Sequence, residues 1–144
     1  MYHIVYISKA TLPVSETALG QMLTRWRANN ERANVTGILL YSEHEQRFMQ
    51  LIEGDPAELV PLFAMIEQDH RHRDLLKLAD GLIPARAFTS WLMGFSVARV
   101  ASFRQLAGYI DPHSAAFQQA LQRSQDPLIH ELLTTFFSES SDLH

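Results

Sequence analysis

The sequence predicts an α+β domain of the ferredoxin-like type, ordered strand, helix, strand, strand, helix, strand, with an extra fifth strand. Three observations point there. Short β-branched and aromatic runs alternate with period two. Two longer segments carry apolar residues at i, i+3, i+4 and i+7 between those runs. The 144 residues, 47% hydrophobic and 19% charged, suffice for one packed core and a short extension.

The opening strand is His3 to Ser8, with Ile4, Tyr6 and Ser8 on one face and Val5 and Ile7 on the other. After a turn at Pro13, Ser15 suits the cap of a helix bearing Leu19, Met22, Leu23 and Trp26. That helix is expected to end near Asn29 and Asn30, residues suited to a C-terminal turn. Val35 to Tyr41 and Phe48 to Glu53 form the next two strands, joined through Ser42 to Arg47 by a long loop without Gly or Pro. Asp55 and Pro56 supply a cap and first-turn residue for a second helix carrying Leu59, Leu62, Phe63 and Ile66. It is expected to end in the run Asp69-His70-Arg71-His72. Leu75 to Ile83 and Phe88 to Val97 are the last two strands, the second alternating Trp91, Met93, Phe95 and Val97 against Leu92, Gly94 and Ser96.

Residues 1–100 thus form the core domain and 101–144 a helical extension. Ser102 begins a helical piece, and Asp111-Pro112 and Asp126-Pro127 each resemble a cap followed by a first-turn proline. Leu128, Ile129, Leu132, Leu133, Phe136 and Phe137 make a wide apolar stripe. Both core helices cover one face of the sheet, so the extension is placed on the other face or on a second chain, which makes a homo-oligomer the expected state.

Several classes are disfavoured. A formal charge of -4 and a pI near 5.9 give no cationic field for nucleic acid. No cysteine is present, so thiolate chemistry and cysteine zinc sites fall away. The longest stretch without Asp, Glu, Lys or Arg, Ala87 to Ala98, is far short of the ~20 residues of a membrane helix. The N-terminus has no basic region and no long apolar core of a signal peptide, and a cytoplasmic protein is expected. His70 and His72, two apart on a helix, would diverge, and no metal site is expected. No Gly-rich phosphate loop, nucleophile elbow or zinc-protease motif occurs, so no enzyme activity is expected.

The polar residues inside the apolar pattern are more informative. Gln50 shares a strand face with Phe48 and Ile52, which buries an amide among apolar neighbours. Leaving a buried donor or acceptor unpaired costs about 1–3 kcal/mol, so something polar must meet it, and Tyr6 lies on the equivalent face of the first strand. By themselves these two residues are better explained by a hydrogen bond that only ties two strands together. Asn29-Asn30 alone reads as a turn device, and Trp91 and Met93 as core.

Taken in order, five segments resemble the BLUF family, the flavin-binding blue-light sensor module, over about the first hundred residues. They are Ile4-Val5-Tyr6-Ile7-Ser8; Asn29-Asn30 with Val35-Thr36-Gly37-Ile38-Leu39-Leu40-Tyr41; Phe48-Met49-Gln50-Leu51-Ile52-Glu53-Gly54; Asp69-His70-Arg71-His72; and Arg86 to Phe95 with its Trp91 and Met93. The resemblance implies a flavin ring held without a covalent link between the two core helices. Asn30 and Asn29 would bond the polar edge near C4=O, N3 and O2. Arg71 and His72 would flank its other polar parts or the ribityl side, and Tyr6 and Gln50 would sit beside N5 and C4=O. In the family an electron leaves the tyrosine for the excited flavin, a proton follows through the glutamine, and the return leaves the glutamine's hydrogen bonds rearranged and the flavin spectrum slightly red-shifted.

The resemblance further implies FAD, with FMN or riboflavin not distinguished by contacts to the ring. It implies a relay through strand five and the C-terminal helices to a partner protein, since nothing after Ala101 is long enough for a cyclase, phosphodiesterase or DNA-binding module. Three departures stand out: the Ser42–Arg47 loop lacks the common glycine, Leu92 replaces a small residue between Trp91 and Met93, and Met65 stands where some members carry arginine. The competing readings are a flavin-free regulatory module on the same sheet and, behind it, a small hydrolase using Arg71 and His72.

Overall fold

A computed structural model describes residues 1–11, 16–42, 45–96 and 114–122, with 127 and 131. The elements are β1 (Tyr2–Ala10), α1 (Glu16–Arg32), β2 (Thr36–Ser42), β3 (Arg47–Gly54), α2 (Pro56–Glu67), β4 (His72–Leu82), β5 (Trp91–Ser96) and α3 (Ala115–Gln122). One sheet has the order β4-β1-β3-β2-β5. Its neighbours are antiparallel except β2 and β5, which run parallel. This is the expected ferredoxin-like α+β fold with its added strand.

Alternation assigns each face. Ile4 and Tyr6 of β1 with Ile52 of β3 pack under Leu59 and Phe63 of α2. Leu39, Tyr41, Phe48, Trp91 and Met93 pack under Leu23 of α1. Both core helices therefore cover one face. On the other, Val5, Ile38, Leu40, Met49 and Leu51 pack with Phe88 and with Phe117 of α3. A helix of the extension does cover the second face. Ser114 caps it, its Oγ accepting the Phe117 N–H at 3.2 Å. Ser15, the Pro13 turn, Ser102, Asp111-Pro112, Asp126 and the stripe from Leu128 to Phe137 lie outside the described residues, as does Val97.

Two helix ends differ from expectation. α1 runs on to Arg32, so Asn29 and Asn30 lie within its last turns. The chain leaves the helix at Asn34, whose φ of 57° is left-handed. Val35 N–H bonds Asn30 C=O at 2.8 Å and Asn34 N–H bonds Glu31 C=O at 3.1 Å, the pairing of a Schellman motif. α2 stops at Glu67 with Gln68 as its cap, so Arg71 lies in the following turn and His72 opens β4. As expected, Asp55 caps α2, its carboxyl oxygen accepting Ala57 N–H at 2.9 Å, with Pro56 in the first turn.

β5 starts at Trp91, three residues later than expected, and Phe88 is buried in the preceding loop. That loop is fastened by Glu53, which is fully buried. Its carboxyl oxygens accept from Thr36 Oγ1 at 2.9 Å, Ala87 N at 3.0 Å and Phe88 N at 2.7 Å. Arg86 donates to Thr36 Oγ1 and to the Glu53 and Asn34 carbonyls. These bonds fix where β5 enters the sheet. At the hairpin, strand pairing reaches Ser42 and Arg47, and Gln46 takes a left-handed φ of 54° where the sequence offers no glycine.

Candidate functional site

Register brings the key residues together. Tyr6 of β1 and Leu39 of β2 flank Gln50 of β3, and Leu39 in turn pairs with Met93 of β5. All four side chains lie on the helix-covered face. Gln50 Nε2 donates to the Tyr6 hydroxyl at 2.6 Å. Trp91 Nε1 donates to Gln50 Oε1 at 3.0 Å. An indole N–H can only donate, so the amide oxygen must face Trp91 and the amide nitrogen must face Tyr6. The amide orientation is thereby set by the protein. Leu92 does not displace Trp91; it points to the opposite face and joins the cluster there.

Above this row lies a cavity of about 280 Å³ between α1 and α2. Tyr6, Leu39, Phe48 and Gln50 form its floor. α1 contributes Met22, Arg25, Trp26, Asn29 and Asn30; α2 contributes Leu62, Met65 and Ile66; the next turn and β4 contribute Asp69, Arg71 and His72. Every residue expected to touch a cofactor, Tyr6, Asn29, Asn30, Gln50, Arg71 and His72, is on this wall. Trp91 and Met93 are not; they are buried behind it, packed with Leu39 and Phe48 of the floor, and Trp91 is hydrogen-bonded to Gln50.

Position on α1 separates the two asparagines. Asn30 is 6% exposed, whereas Asn29 is exposed and its Oδ1 accepts from Arg32. His72 Nε2 donates to Ile66 C=O in the last turn of α2, because a carbonyl can only accept. In the neutral ring Nδ1 then accepts from Ser8 Oγ at 2.8 Å. The imidazole thus ties β1 to the end of α2 and packs on Tyr6, with ring centroids 6.2 Å apart. Arg71 is clamped by Asp69 through Nε and Nη2 and lies over the Trp26 ring at 5.3 Å.

Burial pushes the Tyr6 phenol well above its ordinary pKa, the Gln50 hydrogen bond only partly opposing that shift. The phenol is neutral and keeps its proton. Hydrogen bonds from Arg71 hold the Asp69 carboxyl below its usual range. The fit to a planar heterocycle with one polar edge rests on the donor set. Trp26, Leu39, Phe48, Leu62 and Ile66 offer apolar surface, while Asn30, Gln50 and Tyr6 offer donors and acceptors along one side. Among the described residues, no three His, Asp or Glu side chains come together as metal ligands, and no helix is long and apolar enough to cross a membrane.

The sequence did not single out Met22, Arg25, Leu62 or Ile66 as site residues, nor Trp26. The helical spacing of Met22, Trp26, Leu62 and Ile66 was visible, but a stripe on a helix reads as core until the opposing helix is placed, and no pattern in the sequence pointed to Arg25.

The family model described as "BLUF: Sensors of blue-light using FAD" matches residues 1–94. The chain is 36% identical over 87 residues to photoactivated adenylate cyclase subunit alpha of Euglena gracilis, covering 60% of this chain and 8% of that protein. It is 35% identical over 92 residues to subunit beta of the same organism, covering 62% and 10%. The chain therefore spans about a tenth or less of these relatives. Among solved structures, the dark state of BlrB, a BLUF protein, aligns with a TM-score of 0.61 at 25% identity over 94% of this chain and 96% of that one. Klebsiella pneumoniae BlrP1, in a manganese/cyclic diGMP complex, aligns with a TM-score of 0.69 at 26% identity over 95% and 32%.

Proposed function

Because the chain belongs to the BLUF family of blue-light sensors using FAD, we propose that Tyr6 and Gln50 are its photochemical pair and that a partner protein reads the outcome. BLUF domains are sensor modules and not themselves catalysts. The observation that carries the proposal is the oriented chain from Trp91 N–H through the Gln50 amide to the Tyr6 hydroxyl, set into the cavity floor.

Bound flavin supplies absorption of blue light and an excited state that accepts an electron. Tyr6 is the donor, its neutral phenol giving up an electron and a proton without leaving a buried charge. Because its Nε2 donates to the Tyr6 hydroxyl, Gln50 could take the phenol's proton only on Oε1, after the amide turns that oxygen toward Tyr6. It would then relay the proton, and electron and proton would both return to Tyr6 with the amide left turned. Asn30, with Asn29, would bond the polar edge of the ring, and Arg71 from the turn after α2 and His72 from the start of β4 would border it. Once the amide is reversed, Trp91 N–H faces Nε2 and loses its acceptor, which costs about 1–3 kcal/mol in a buried site and gives β5 a reason to move. Met93 lies on the same face of β5.

On the far face of the sheet, Leu92 of β5 and Phe117 of α3 share one cluster. This supports a route from Gln50 through β5 to the extension over residues 101–144. The same reading places the protein in the cytoplasm as a homo-oligomer acting on a partner. Gln50 and Tyr6 satisfy one another without any ligand, which is what a flavin-free module would also show. The absorption spectrum separates the two. A yellow protein whose bands move slightly to the red in blue light and return in darkness, with no shift in Gln50→Ala, is expected. A protein that takes up no flavin would refute the proposal.

A further inference from the structure

Charge at the cavity lip is unbalanced. Asp69 is the one acid on the cavity wall, and Arg71 already holds it, with Nη2 to Oδ2 at 2.6 Å and Nε to Oδ1 at 2.9 Å. With its fork closed on Asp69 and its plane over Trp26, Arg71 is neutralised and positioned. Arg25 differs. It lines the cavity from α1 and is exposed, and no ion pair or hydrogen bond engages it among the described residues. Its helical neighbours three and four residues away, Gln21, Met22, Ala28 and Asn29, carry no charge. Across the opening Met65 contributes none either.

Size gives the charge a use. A cavity of about 280 Å³ falls just under the ~300–1,000 Å³ of pockets that enclose drug-sized ligands. It accommodates a ring system but not a whole dinucleotide, so the phosphate-bearing tail of FAD must leave across the lip. A guanidinium free of acidic partners matches phosphate oxygens in charge and in two-pronged geometry.

We propose that Arg25 is the phosphate-reading residue of this site, favouring flavins that carry phosphate over riboflavin. The inference rests on the cavity being the flavin site. It is tested by titrating the full chain with riboflavin, FMN and FAD and following flavin fluorescence, for the wild type, Arg25→Gln and Arg25→Lys. Arg25→Gln is expected to weaken FMN and FAD roughly twofold to fivefold, the scale of an exposed charge contact, and to leave riboflavin unchanged. Arg25→Lys should recover part of the loss. Raising salt should narrow the wild-type preference toward that of Arg25→Gln. Equal losses for all three ligands would show a packing role and overturn the proposal, as would unaltered FMN and FAD binding. If the wild type bound none of the three, the flavin reading itself would fall, and this inference with it.

Discussion

Replacing Gln50 by leucine removes the acceptor of the Trp91 N–H and the donor to the Tyr6 hydroxyl while nearly conserving volume. Trp91 is 1% exposed and lies behind the cavity wall, so water cannot replace the acceptor of its N–H. An orphaned buried N–H costs about 1–3 kcal/mol and a lost neutral hydrogen bond about 0.5–1.5 kcal/mol, so Gln50→Leu should destabilise the fold by roughly 2–4 kcal/mol. Trp91→Phe alone orphans the amide oxygen, whereas the double variant leaves no unpaired group at the Trp91–Gln50 contact. The double variant should therefore be more stable than the sum of the singles predicts, by about 1–2 kcal/mol. Urea unfolding of the four proteins, with m-values confirmed equal, measures this directly. Additivity within about 0.5 kcal/mol would refute the claim that Trp91 and Gln50 are coupled through that bond.

Glycine positions give a sharper contrast. At Gly37, with φ of 149°, an added Cβ would lie 1.9 Å from the Leu51 carbonyl oxygen, so Gly37→Ala should cost about 3 kcal/mol or more in thermal or urea unfolding. At Gly20, within α1 with nothing within 4 Å, the same change should stabilise by about 0.5–1 kcal/mol. For Tyr6, the raised pKa means that the folded chain holds a proton which the unfolded chain releases near the ordinary value of 10.0. Stability should fall as pH rises above about 10. The tyrosinate absorbance difference between wild type and Tyr6→Phe should appear only together with unfolding. Ionisation of Tyr6 in the folded protein near pH 10 would show that the phenol is not desolvated.

Much of this arrangement was legible in the sequence because period two is a strong local signal. Alternation alone put Tyr6 on one face with Ile4 and Gln50 on one face with Phe48, and register then made them neighbours. Asp55-Pro56 likewise announced α2 through a cap whose chemistry is local. The end of α1 was misplaced because asparagine suits both a helix end and a left-handed turn, and here Asn34 takes the turn while Asn29 and Asn30 stay helical. β4 began earlier than its apolar pattern suggested, since His72 and Arg73 are recruited by pairing with Ala10 and Lys9 of β1. Glu53 was assigned to its strand, but its role depends on Thr36, Arg86 and the loop amides converging on it, contacts that no local pattern encodes.

The central claim is that Tyr6 starts the light response through Gln50. Its most direct measurement is the absorption spectrum of FAD-loaded wild type and Tyr6→Phe in darkness, after blue light and after return to darkness, with flavin fluorescence recorded alongside. The account predicts a reversible small red shift in the wild type. Tyr6→Phe should bind FAD, show brighter fluorescence because the electron donor is gone, and give no such shift. A Tyr6→Phe protein that still produced the full reversible shift would contradict the account.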